Sequence, residues 1–530
     1  MRNPVVPLTP LSFLRRSADV WPDDVAVIRE DGSPLTYNEL LQQASRLADA
    51  LRAAGVKRGD RVAVLAPNTA MLLTAHFGVP GAEAVLVALN TRLSSTEYEY
   101  ILNHSGAKVL IVDSTLVGAT ADLLKSLSGL EIVVVSGPPS EYPSGVQSYD
   151  HWALSAPEGP GLVSPRDEND PIAVNYTSGT TGLPKGVVYT HRGAYLNSLG
   201  TAISFGLRRG AVYLWTLPMF HCNGWCCTWA VTAVGAQHVC LLKLEPATVL
   251  ELILRHNVSH FCAAPVVLNA LLNYPAAAQM TFPHPVHVAT GGAPPSPTTI
   301  SRARAMGMEL THLYGLTETY GPSLVCEPQT EWSSFDDQQL AQAMSRQGVR
   351  TLTVEDVRVV DDAMTEVPTD GETIGQIVFR SNSVMAGYLD DDDATAQAVR
   401  NGWLLTGDLA VVDADGYIHI HDRAKDIIIT GGENVSSVEV ENVLMSMPGV
   451  AEAAVVGRPD ETWGEVPVAF VTLAPGASVT AGQLVQHVRS RLAHFKAPKD
   501  VVFMNLPKTS TGKIQKTVLR DIARSRALPE

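Results

Sequence analysis

The sequence predicts a mixed α/β protein with a large N-terminal domain of stacked α/β sheets and a small C-terminal α+β domain. Helical stretches such as Tyr37–Ala54 alternate with short apolar runs such as Arg61–Leu65, Lys108–Asp113 and Glu131–Val135. This alternation is typical of helices packed on largely parallel sheets of buried strands. A chain of 530 residues is also too long for one compact core, so we expect at least two domains.

Two further regions complete the predicted organisation. A second α/β set runs from about Ala211 to His312. Beyond it, Val357–Val360, Gly375–Arg380 and Gly416–His419 are strand-like pieces separated by glycine-containing turns, which predict a smaller β-rich subdomain. The chain after Arg423 has its own strands and helices and forms a unit of about 100 residues, an ordinary size for a domain.

Composition narrows the class of partner. The chain is 45% apolar and 18% charged, which is typical of a globular protein, and its net charge is −15. An acidic balance disfavours nucleic acids and anionic membranes, since both are bound through Lys and Arg. No apolar run is long enough to span a bilayer, no secretory leader is apparent and the last residues are not a Ser-Lys-Leu address, so we expect a cytoplasmic location.

The cysteines present an ambiguous signal. Three of the six lie within six residues of one another, directly after His221. The six are Cys222, Cys226, Cys227, Cys240, Cys262 and Cys326. A metal site is conceivable there, but the spacing matches no zinc pattern, and we interpret them as reduced thiols that pack like small apolar side chains.

A loop rich in glycine and hydroxyl groups carries the most information. The strand-like run Ile172–Tyr176 leads into it, and the β-branched run Val187–Thr190 follows it. Glycines let a backbone approach an anion, hydroxyls donate to phosphate oxygens, and a lysine supplies a positive charge. The candidate phosphate-binding residues are Thr177, Ser178, Gly179, Thr180, Thr181, Gly182 and Lys185.

Two other interpretations of this loop fit less well. A Walker A loop needs Gly-Lys-Ser/Thr at the start of a helix, whereas here Pro184 precedes Lys185 and Gly186 follows it. A flexible linker would be rich in glycine and serine, but it seldom carries one lysine between proline and glycine with apolar strands on both sides. We therefore predict a strand–loop–strand phosphate cradle.

The same loop resembles the phosphate-binding motif of the adenylate-forming superfamily, which includes acyl- and aryl-CoA synthetases, nonribosomal adenylation domains and firefly-type luciferases. Further motifs of that family follow in order. Leu313–Thr319 resembles its central motif and Gly291–Ser296 the loop lining its adenine and acyl pockets. The resemblance implies the following roles: adenine stacking by Tyr314, an α-phosphate contact by Thr317, Mg²⁺ binding by Glu318, and pocket lining by Gly291, Gly292, Ala293, Pro294 and Gly315.

The C-terminal third of the chain carries the remaining motifs. Trp403–Asp408 resembles the ribose motif and Asp422–Ile427 the segment that supplies a second ribose contact and the hinge, with Asp422 where the common form has Gly. Gly431–Asn434 resembles the loop lining the CoA channel, and Pro507–Lys516 the last motif, in which many relatives have Arg at the position of Lys516. The implied roles are ribose binding by Asp408 and Arg423, hinge rotation at Lys425, CoA-channel lining by Gly431, Gly432 and Glu433, and catalysis by Lys513.

These motifs set the predicted domain boundaries. We expect an N-terminal domain over residues 1–422 that binds ATP and the acyl group, a hinge over 423–426, and a C-terminal lid over 427–530 that carries Lys513. By resemblance, the lid rotates between two half-reactions.

The segment Pro218–Trp225 lies where relatives build the acyl pocket. His221 and Trp225 are four residues apart, so a helical turn would place them on one face. By resemblance His221 borders the carboxylate end of the pocket and Trp225 lines the acyl site. No cationic residue in this stretch could pair with a second carboxylate, which favours a monocarboxylic acid. The His-Cys-Asn-Gly-Trp form resembles that of a subgroup acting on short- to medium-chain or methylthio-substituted acids and some aromatic acids, and this resemblance implies a short- or medium-chain substrate.

We therefore predict an ATP-dependent acyl-CoA synthetase that uses ATP, Mg²⁺ and coenzyme A. A carboxylate is a poor acyl donor until AMP converts its oxygen into a leaving group, and the approach of two anions must be offset by a metal and by lysines. An aryl-CoA ligase, an acyl-AMP ligase that loads a carrier protein, a luciferase-like oxygenase and a non-catalytic sensor are the alternatives. The predicted partners are small molecules, and the sequence leaves open whether the protein forms a homodimer.

Overall fold

The chain folds into two compact units, which consist of Met1–Val357 with Phe379–Leu404 (unit 1) and Arg358–Val378 with Leu405–Glu530 (unit 2). The computed structural model describes residues 5–120, 130, 132–137, 146–177, 183–291, 295–423, 426–430, 433–460, 462–509 and 513–525. The predicted hinge and domain boundary, 422 to 427, stay predictions.

The described strands pair into four sheets. In chain order, the strands are β1 (Val25–Ile28), β2 (Pro34–Thr36), β3 (Arg61–Leu65), β4 (Val85–Ala88), β5 (Ala107–Asp113), β6 (Ile132–Ser136), β7 (Gln147–Ser148), β8 (Pro171–Thr177), β9 (Lys185–Thr190), β10 (Val212–Leu214), β11 (Gln237–Val239), β12 (His260–Ala263), β13 (Val286–Gly291), β14 (Met308–Leu316), β15 (Gly321–Val325), β16 (Val349–Arg350), β17 (Asp356–Val360), β18 (Gly375–Arg380), β19 (Gly387–Tyr388), β20 (Val399–Arg400), β21 (Trp403–Val412), β22 (Ile418–Arg423), β23 (Ile428–Thr430), β24 (Glu433–Val435), β25 (Val450–Asp460), β26 (Gly464–Leu473) and β27 (Asp500–Phe503).

Unit 1 contains two large sheets, with strand orders β19-β9-β8-β4-β3-β5-β6-β7 and β16-β15-β14-β13-β12-β10-β11-β1-β2. Neighbours from β4 through β7 and from β10 through β14 run parallel, while β9, β15, β16 and β19 pair antiparallel at one edge. The parallel strands are almost wholly buried, as β4 and β12 are at every position, because helices cover both faces of such a sheet.

The other two sheets are smaller. One has the order β17-β18-β21-β20 with β22 paired to β21, and it corresponds to the predicted β-rich subdomain. The other, in unit 2, has the order β24-β23-β26-β25 with β27 paired to β26. Val455, Ala469 and Val471 on one face of that sheet pack against the helix Ser437–Met445, and Val456 and Phe470 on the other pack against the helix Lys516–Ser525.

The helices alternate with these strands as expected. They cover Leu11–Val20, Tyr37–Ala53, Ala70–Gly81, Ser95–Ser105, Val117–Thr120, Tyr149–Ser155, His191–Ser204, Cys222–Trp225, Cys227–Ala233, Pro246–Arg255, Pro265–Leu272, Pro297–Ala305, Asp337–Met344, Asp392–Ala398, Ser437–Met445, Ala481–Arg489 and Lys516–Ser525. No helix in the described part of the chain is long and apolar enough to cross a membrane.

The predicted α/β class is confirmed, and several predicted elements agree with the structure to within two residues. The helix at Tyr37 begins with a capping box in which the Thr36 hydroxyl accepts from the Glu39 N–H. The strand predicted at Gly416–His419 was misplaced: Gly416 has a φ of +82° in the preceding turn, and β22 starts at Ile418. Glu131, the first residue of another predicted strand, lies outside the described residues.

Buried histidines in unit 1 couple folding to pH. His191 begins a helix, and its Nδ1 lies 2.8 Å from the Thr9 hydroxyl. Burial lowers the pKa of His191 to about 4. The unfolded chain therefore binds a proton at a higher pH than the folded chain does, so the stabilising contribution is present above about pH 6.5 and is lost as the pH falls towards 4.

We predict that His191→Gln will show a weaker pH dependence of stability than the wild type. Between pH 6.5 and 4 the wild type should lose up to about 3 kcal/mol more in unfolding free energy than the variant does. Urea denaturation at several pH values measures this difference, and the exposed His151, changed to Gln, is the control. Equal pH slopes for His191→Gln and the wild type would contradict the assignment.

Candidate active site

The predicted phosphate cradle lies between two antiparallel strands of unit 1. Thr177 ends β8 and faces Lys185, the first residue of β9, so the strand–loop–strand prediction is confirmed for the described residues. Lys185 is exposed, whereas Gly186 is buried where an added Cβ would lie 2.9 Å from Val174. The loop residues Ser178, Gly179, Thr180, Thr181 and Gly182 lie outside the described residues.

The central motif forms the end of β14 and the turn after it. β14 runs parallel to β13, so Gly291 and Leu313 are neighbours at the carboxyl ends of both strands, where ligands bind in open α/β sheets. An added Cβ at Gly315 would lie 1.8 Å from the Gly321 carbonyl oxygen, so only glycine fits there. Tyr314 is half-buried at this edge. Gly292, Ala293 and Pro294 lie outside the described residues.

Tyr388 joins the two motifs, and the sequence prediction missed it. Its hydroxyl donates a hydrogen bond of 2.8 Å to Glu318 Oε1, and the Lys185 ammonium lies 4.9 Å from the centre of its ring. The pairing of β19 with Val187 and Val188 of β9 places Tyr388 there. A two-residue strand almost 200 residues downstream of β9 leaves no signal in a sequence pattern.

The side chains of the catalytic candidates His221 and Thr317 both lie close to the thiol of Cys222. Cys222 Sγ lies 3.6 Å from the Thr317 hydroxyl and 4.0 Å from each nitrogen of the His221 ring. The backbone carbonyl of Thr317 also accepts a 2.7 Å hydrogen bond from the hydroxyl of Tyr189. Cys222 and Tyr189 are thus further residues that position predicted site groups. For Cys222, the only signal in the sequence was the cluster of cysteines after His221.

The structure has a turn between His221 and Trp225, as predicted, but this turn is left-handed instead of right-handed. Residues 222 to 226 all have φ between +50° and +62°, and the Cys226 N–H donates to the Cys222 carbonyl. Left-handed turns of non-glycine residues cost about 1–2 kcal/mol per residue, so surrounding contacts must hold this one. Asn223 accepts a buried 2.8 Å hydrogen bond from the Asn175 side chain, and a Cβ at Gly224 would lie 2.4 Å from the Trp215 ring.

This turn places the Trp225 ring against two glycines. A Cβ added at Gly291 would lie 3.3 Å from the indole, and one added at Gly321 would lie 3.1 Å from it. The large ring therefore packs directly on the backbone at the carboxyl end of β13 and at the start of β15. The structure brings together the predicted acyl-pocket residues Trp225, Gly291 and Gly315 at one edge of the sheet.

The cysteines do not form a metal site within the described residues. All six are buried free thiols, and no group of three or more His, Cys, Asp or Glu side chains in the described ranges could hold a metal ion. Burial raises the pKa of the Cys226, Cys240 and Cys262 thiols, which keeps them protonated. The carboxylate of Glu318 is a hard oxygen donor, which fits a Mg²⁺ ion that takes its other ligands from substrate phosphates and water.

In unit 2 the two predicted ribose residues are partners. Asp408 of β21 lies opposite Arg423 of β22, and Arg423 Nε is 3.1 Å from Asp408 Oδ1. The Asp408 carboxylate is buried, whereas Arg423 is 42% exposed and can reach a ligand. Glu433 is exposed at the start of β24. The predicted residues Lys425, Gly431 and Gly432 lie outside the described residues.

Lys513 and Lys516 occupy different environments, although they are three residues apart. Lys513 is exposed, and its N–H donates a 3.1 Å hydrogen bond to the Thr509 hydroxyl. The Lys516 ammonium lies 2.7 Å from Glu441 Oε1 and 2.6 Å from the Ser437 hydroxyl. Ser437 in turn donates to Asp422, at the end of β22. Burial raises the pKa of Glu441, and the charge of Lys516 opposes that rise.

We predict that Lys516→Met will destabilise unit 2 by about 3–5 kcal/mol, because it leaves the Glu441 carboxylate buried without its cation. Lys496→Met is the matched control, since its 2.6 Å pair with Glu439 lies on the same helix at greater exposure. Urea denaturation compares the two variants. Equal losses of stability would contradict a structural role for the buried pair.

Comparisons with known proteins agree with this geometry. The model of the AMP-binding enzyme family matches residues 14–389, and that of the AMP-binding enzyme C-terminal domain matches residues 439–513. An acetate–CoA ligase of Humulus lupulus is 44% identical over 535 residues, which cover 97% of this chain and 94% of the relative. A peroxisomal trans-cinnamate:CoA ligase of Petunia hybrida is 41% identical over 542 residues, with coverage of 98% and 95%.

Solved structures show the same fold. The ATP-bound crystal structure of MatB from Rhodopseudomonas palustris matches with a TM-score of 0.84 and 28% identity, over 97% of this chain and 99% of that one. Fold, site and relatives together define an acid–thiol ligase that couples ATP to acyl-CoA synthesis. The chain belongs to the AMP-binding enzyme family and uses ATP and coenzyme A.

Proposed function

We propose that this ligase activates a short- or medium-chain monocarboxylic acid as an acyl-adenylate, with Mg²⁺, and then transfers the acyl group to coenzyme A. The proposal for the acid rests on one observation, the packing of Trp225 against Gly291 and Gly321. An indole at that position occupies space into which a long acyl chain would otherwise extend. The acetate specificity in the name of the Humulus relative supports the same size range.

In the proposed nucleotide site, unit 1 holds the base and phosphates. Tyr314 stacks on the adenine, Thr317 contacts the α-phosphate, and Lys185 offers a charge to the phosphates beside the glycine-rich loop. Asp408 and Arg423 of unit 2 bind the ribose. When bound at Glu318, Mg²⁺ would neutralise phosphate charge and polarise the phosphoryl oxygens.

In the adenylation step, a carboxylate oxygen of the acid attacks the α-phosphorus. The new O–P bond forms as the bond to pyrophosphate breaks, so acyl-AMP and pyrophosphate result. Two anions must approach each other, and the lysine charges of Lys185 and Lys513 offset their repulsion. Lys513 is suited to this role because its side chain is exposed.

In the thioester step, the CoA sulfur attacks the acyl carbonyl, the C–O bond to AMP breaks, and the thiol proton leaves to solvent. We propose that rotation about Lys425 withdraws Lys513 between the steps and brings Gly431, Gly432 and Glu433 to the CoA channel. His221 borders the carboxylate end of the acid, where Cys222 and Thr317 fix its surroundings.

An aryl-CoA ligase is the second candidate. The cinnamate specificity in the name of the Petunia relative supports it, and the indole of Trp225 would suit an aromatic acid as a stacking surface. A screen of CoA-dependent AMP release over C2–C12 and aromatic acids decides between the two. Transfer to a carrier protein in preference to CoA would instead support the acyl-AMP ligase alternative.

We propose a cytoplasmic location for the enzyme, although the Petunia relative is named as peroxisomal. Cell fractionation tests the location. The protein could be a homodimer or a monomer in solution. Light scattering of the purified chain distinguishes these two oligomeric states.

We predict that Lys513→Ala will slow pyrophosphate release from acid and ATP at least about 100-fold, since it removes a cation aimed at developing charge. The same variant should convert supplied acyl-AMP and CoA to acyl-CoA at close to the wild-type rate. Lys508→Ala, which removes a nearby lysine paired with Glu452, is the control. Equal loss of both half-reactions in Lys513→Ala would contradict the alternation of the lid.

We predict that Trp225→Ala will shift the preferred acid towards longer chains. Removal of the indole opens space beside Gly291 and Gly321, so kcat/KM for C8–C10 acids should rise relative to that for C2–C4 acids by about tenfold or more. Trp21→Ala, which removes a tryptophan packed against Arg16 and Arg209, is the control. An unchanged ratio would contradict the role of Trp225 in limiting chain length.

A further inference from the structure

Lys185 and Glu318 carry opposite charges, and their assigned roles do not explain what prevents them from pairing with each other. Each must be available to a nucleotide, the lysine to phosphate and the carboxylate to a metal ion. In the absence of a ligand, opposite charges at a half-exposed site attract each other by several kcal/mol at short range. A direct ion pair would block both groups. No salt bridge joins them in the described part of the chain.

Tyr388 separates these two charges. Its hydroxyl donates 2.8 Å to Glu318 Oε1, and the face of its ring carries the Lys185 ammonium at 4.9 Å from the ring centre. A phenol can make both contacts at once, because its O–H donor lies in the ring plane while the negative face of the ring attracts a cation.

The backbone fixes Tyr388 from three sides. Gly387 and Tyr388 pair with Val188 and Val187 of β9, and the Leu389 N–H donates 2.7 Å to the Gly186 carbonyl. On the other side, the Met385 N–H donates 2.8 Å to the Glu318 carbonyl. The Tyr388 N–H itself donates 2.9 Å to the Thr395 hydroxyl. All these hydrogen bonds involve residues 385–389, a short segment that contacts both β9, which carries Lys185, and the turn that carries Glu318.

We propose that Tyr388 is a positioning residue that keeps Lys185 and Glu318 apart before the nucleotide binds and holds the glutamate carboxylate in one orientation for the metal. The inference rests on the proposed roles of Lys185 and Glu318. The two contacts make separable contributions. The hydroxyl orients Glu318 and therefore affects the metal, whereas the ring restrains Lys185 and therefore affects ATP binding even without metal.

Two substitutions separate these contributions. Tyr388→Phe keeps the ring below Lys185 and removes the hydroxyl, so ATP affinity without Mg²⁺ should stay within about twofold of wild type. The enhancement of ATP affinity by Mg²⁺ should fall about tenfold, the scale of one hydrogen bond to a charged group. Tyr388→Leu removes both contacts, so Lys185 can pair with Glu318 and affinity without Mg²⁺ should also fall.

Calorimetric titration of the full chain with ATP, in the presence and absence of Mg²⁺, measures both quantities. Tyr98→Phe is the matched control, because it removes a hydroxyl with a 2.8 Å hydrogen bond to the Asn90 carbonyl elsewhere in unit 1. In the double variant Tyr388→Leu/Glu318→Gln, the competing carboxylate charge is gone, so ATP affinity without Mg²⁺ should recover to the wild-type value. A gain from Glu318→Gln that is larger in the Tyr388→Leu background than in the wild-type background would not follow from a merely structural role.

Each part of the proposal has a result that would contradict it. Identical Mg²⁺ dependence in Tyr388→Phe and Tyr98→Phe, or wild-type affinity of Tyr388→Leu for ATP without Mg²⁺, would overturn the role of Tyr388. Failure of the double variant to recover would overturn the separation of charges. If instead wild-type ATP binding does not respond to Mg²⁺ and the protein releases no AMP with any acid, the proposed function itself fails.

Discussion

The antiparallel pairing of β9 with both β8 and β19 is the constraint on which the site of unit 1 depends. Through β8 it brings Thr177 opposite Lys185, and through β19 it brings Tyr388 beneath the same lysine. Tyr388 then reaches Glu318 at the end of β14, which belongs to the other large sheet. The order of the strands, rather than proximity along the chain, therefore assembles the charged groups.

The same constraint explains what the sequence could and could not predict. The strands at Arg61–Leu65 and Gly375–Arg380 were predicted to the residue, because each contains a short buried apolar run, 62–65 and 377–379 respectively. The strands β8 and β9, which flank the proposed phosphate cradle, were predictable because each is rich in apolar and β-branched residues. Tyr388 was not, because its role arises from a two-residue pairing across sheet edges. The left-handed turn after His221 was also hidden, since its residues would favour other conformations alone.

That turn shows how local strain and tertiary contacts balance. Asn223 pairs with Asn175, which lies two residues before Thr177 on β8. The hydrogen bond thus connects the acyl-side turn to the strand that enters the phosphate loop. Residues forced into the left-handed region persist only where such contacts determine them, and strained segments of this kind concentrate at functional sites. Cys222 on the same turn contacts Thr317, so the turn links the proposed acid side to the proposed phosphate side within unit 1.

The lysines of this acidic protein differ by environment in a way that matches their proposed uses. Lys516 is half-buried and pairs with Glu441 and Ser437, so its charge is already satisfied within the protein. Lys185 and Lys513 are exposed, and Lys185 rests on an aromatic face rather than on a carboxylate. A cation–π contact is weaker than a desolvated ion pair, so a phosphate can displace it at little cost. We therefore propose that a protein with a net charge of −15 can bind a polyanion where a cation such as Lys185 rests on an aromatic ring instead of on one of its own carboxylates.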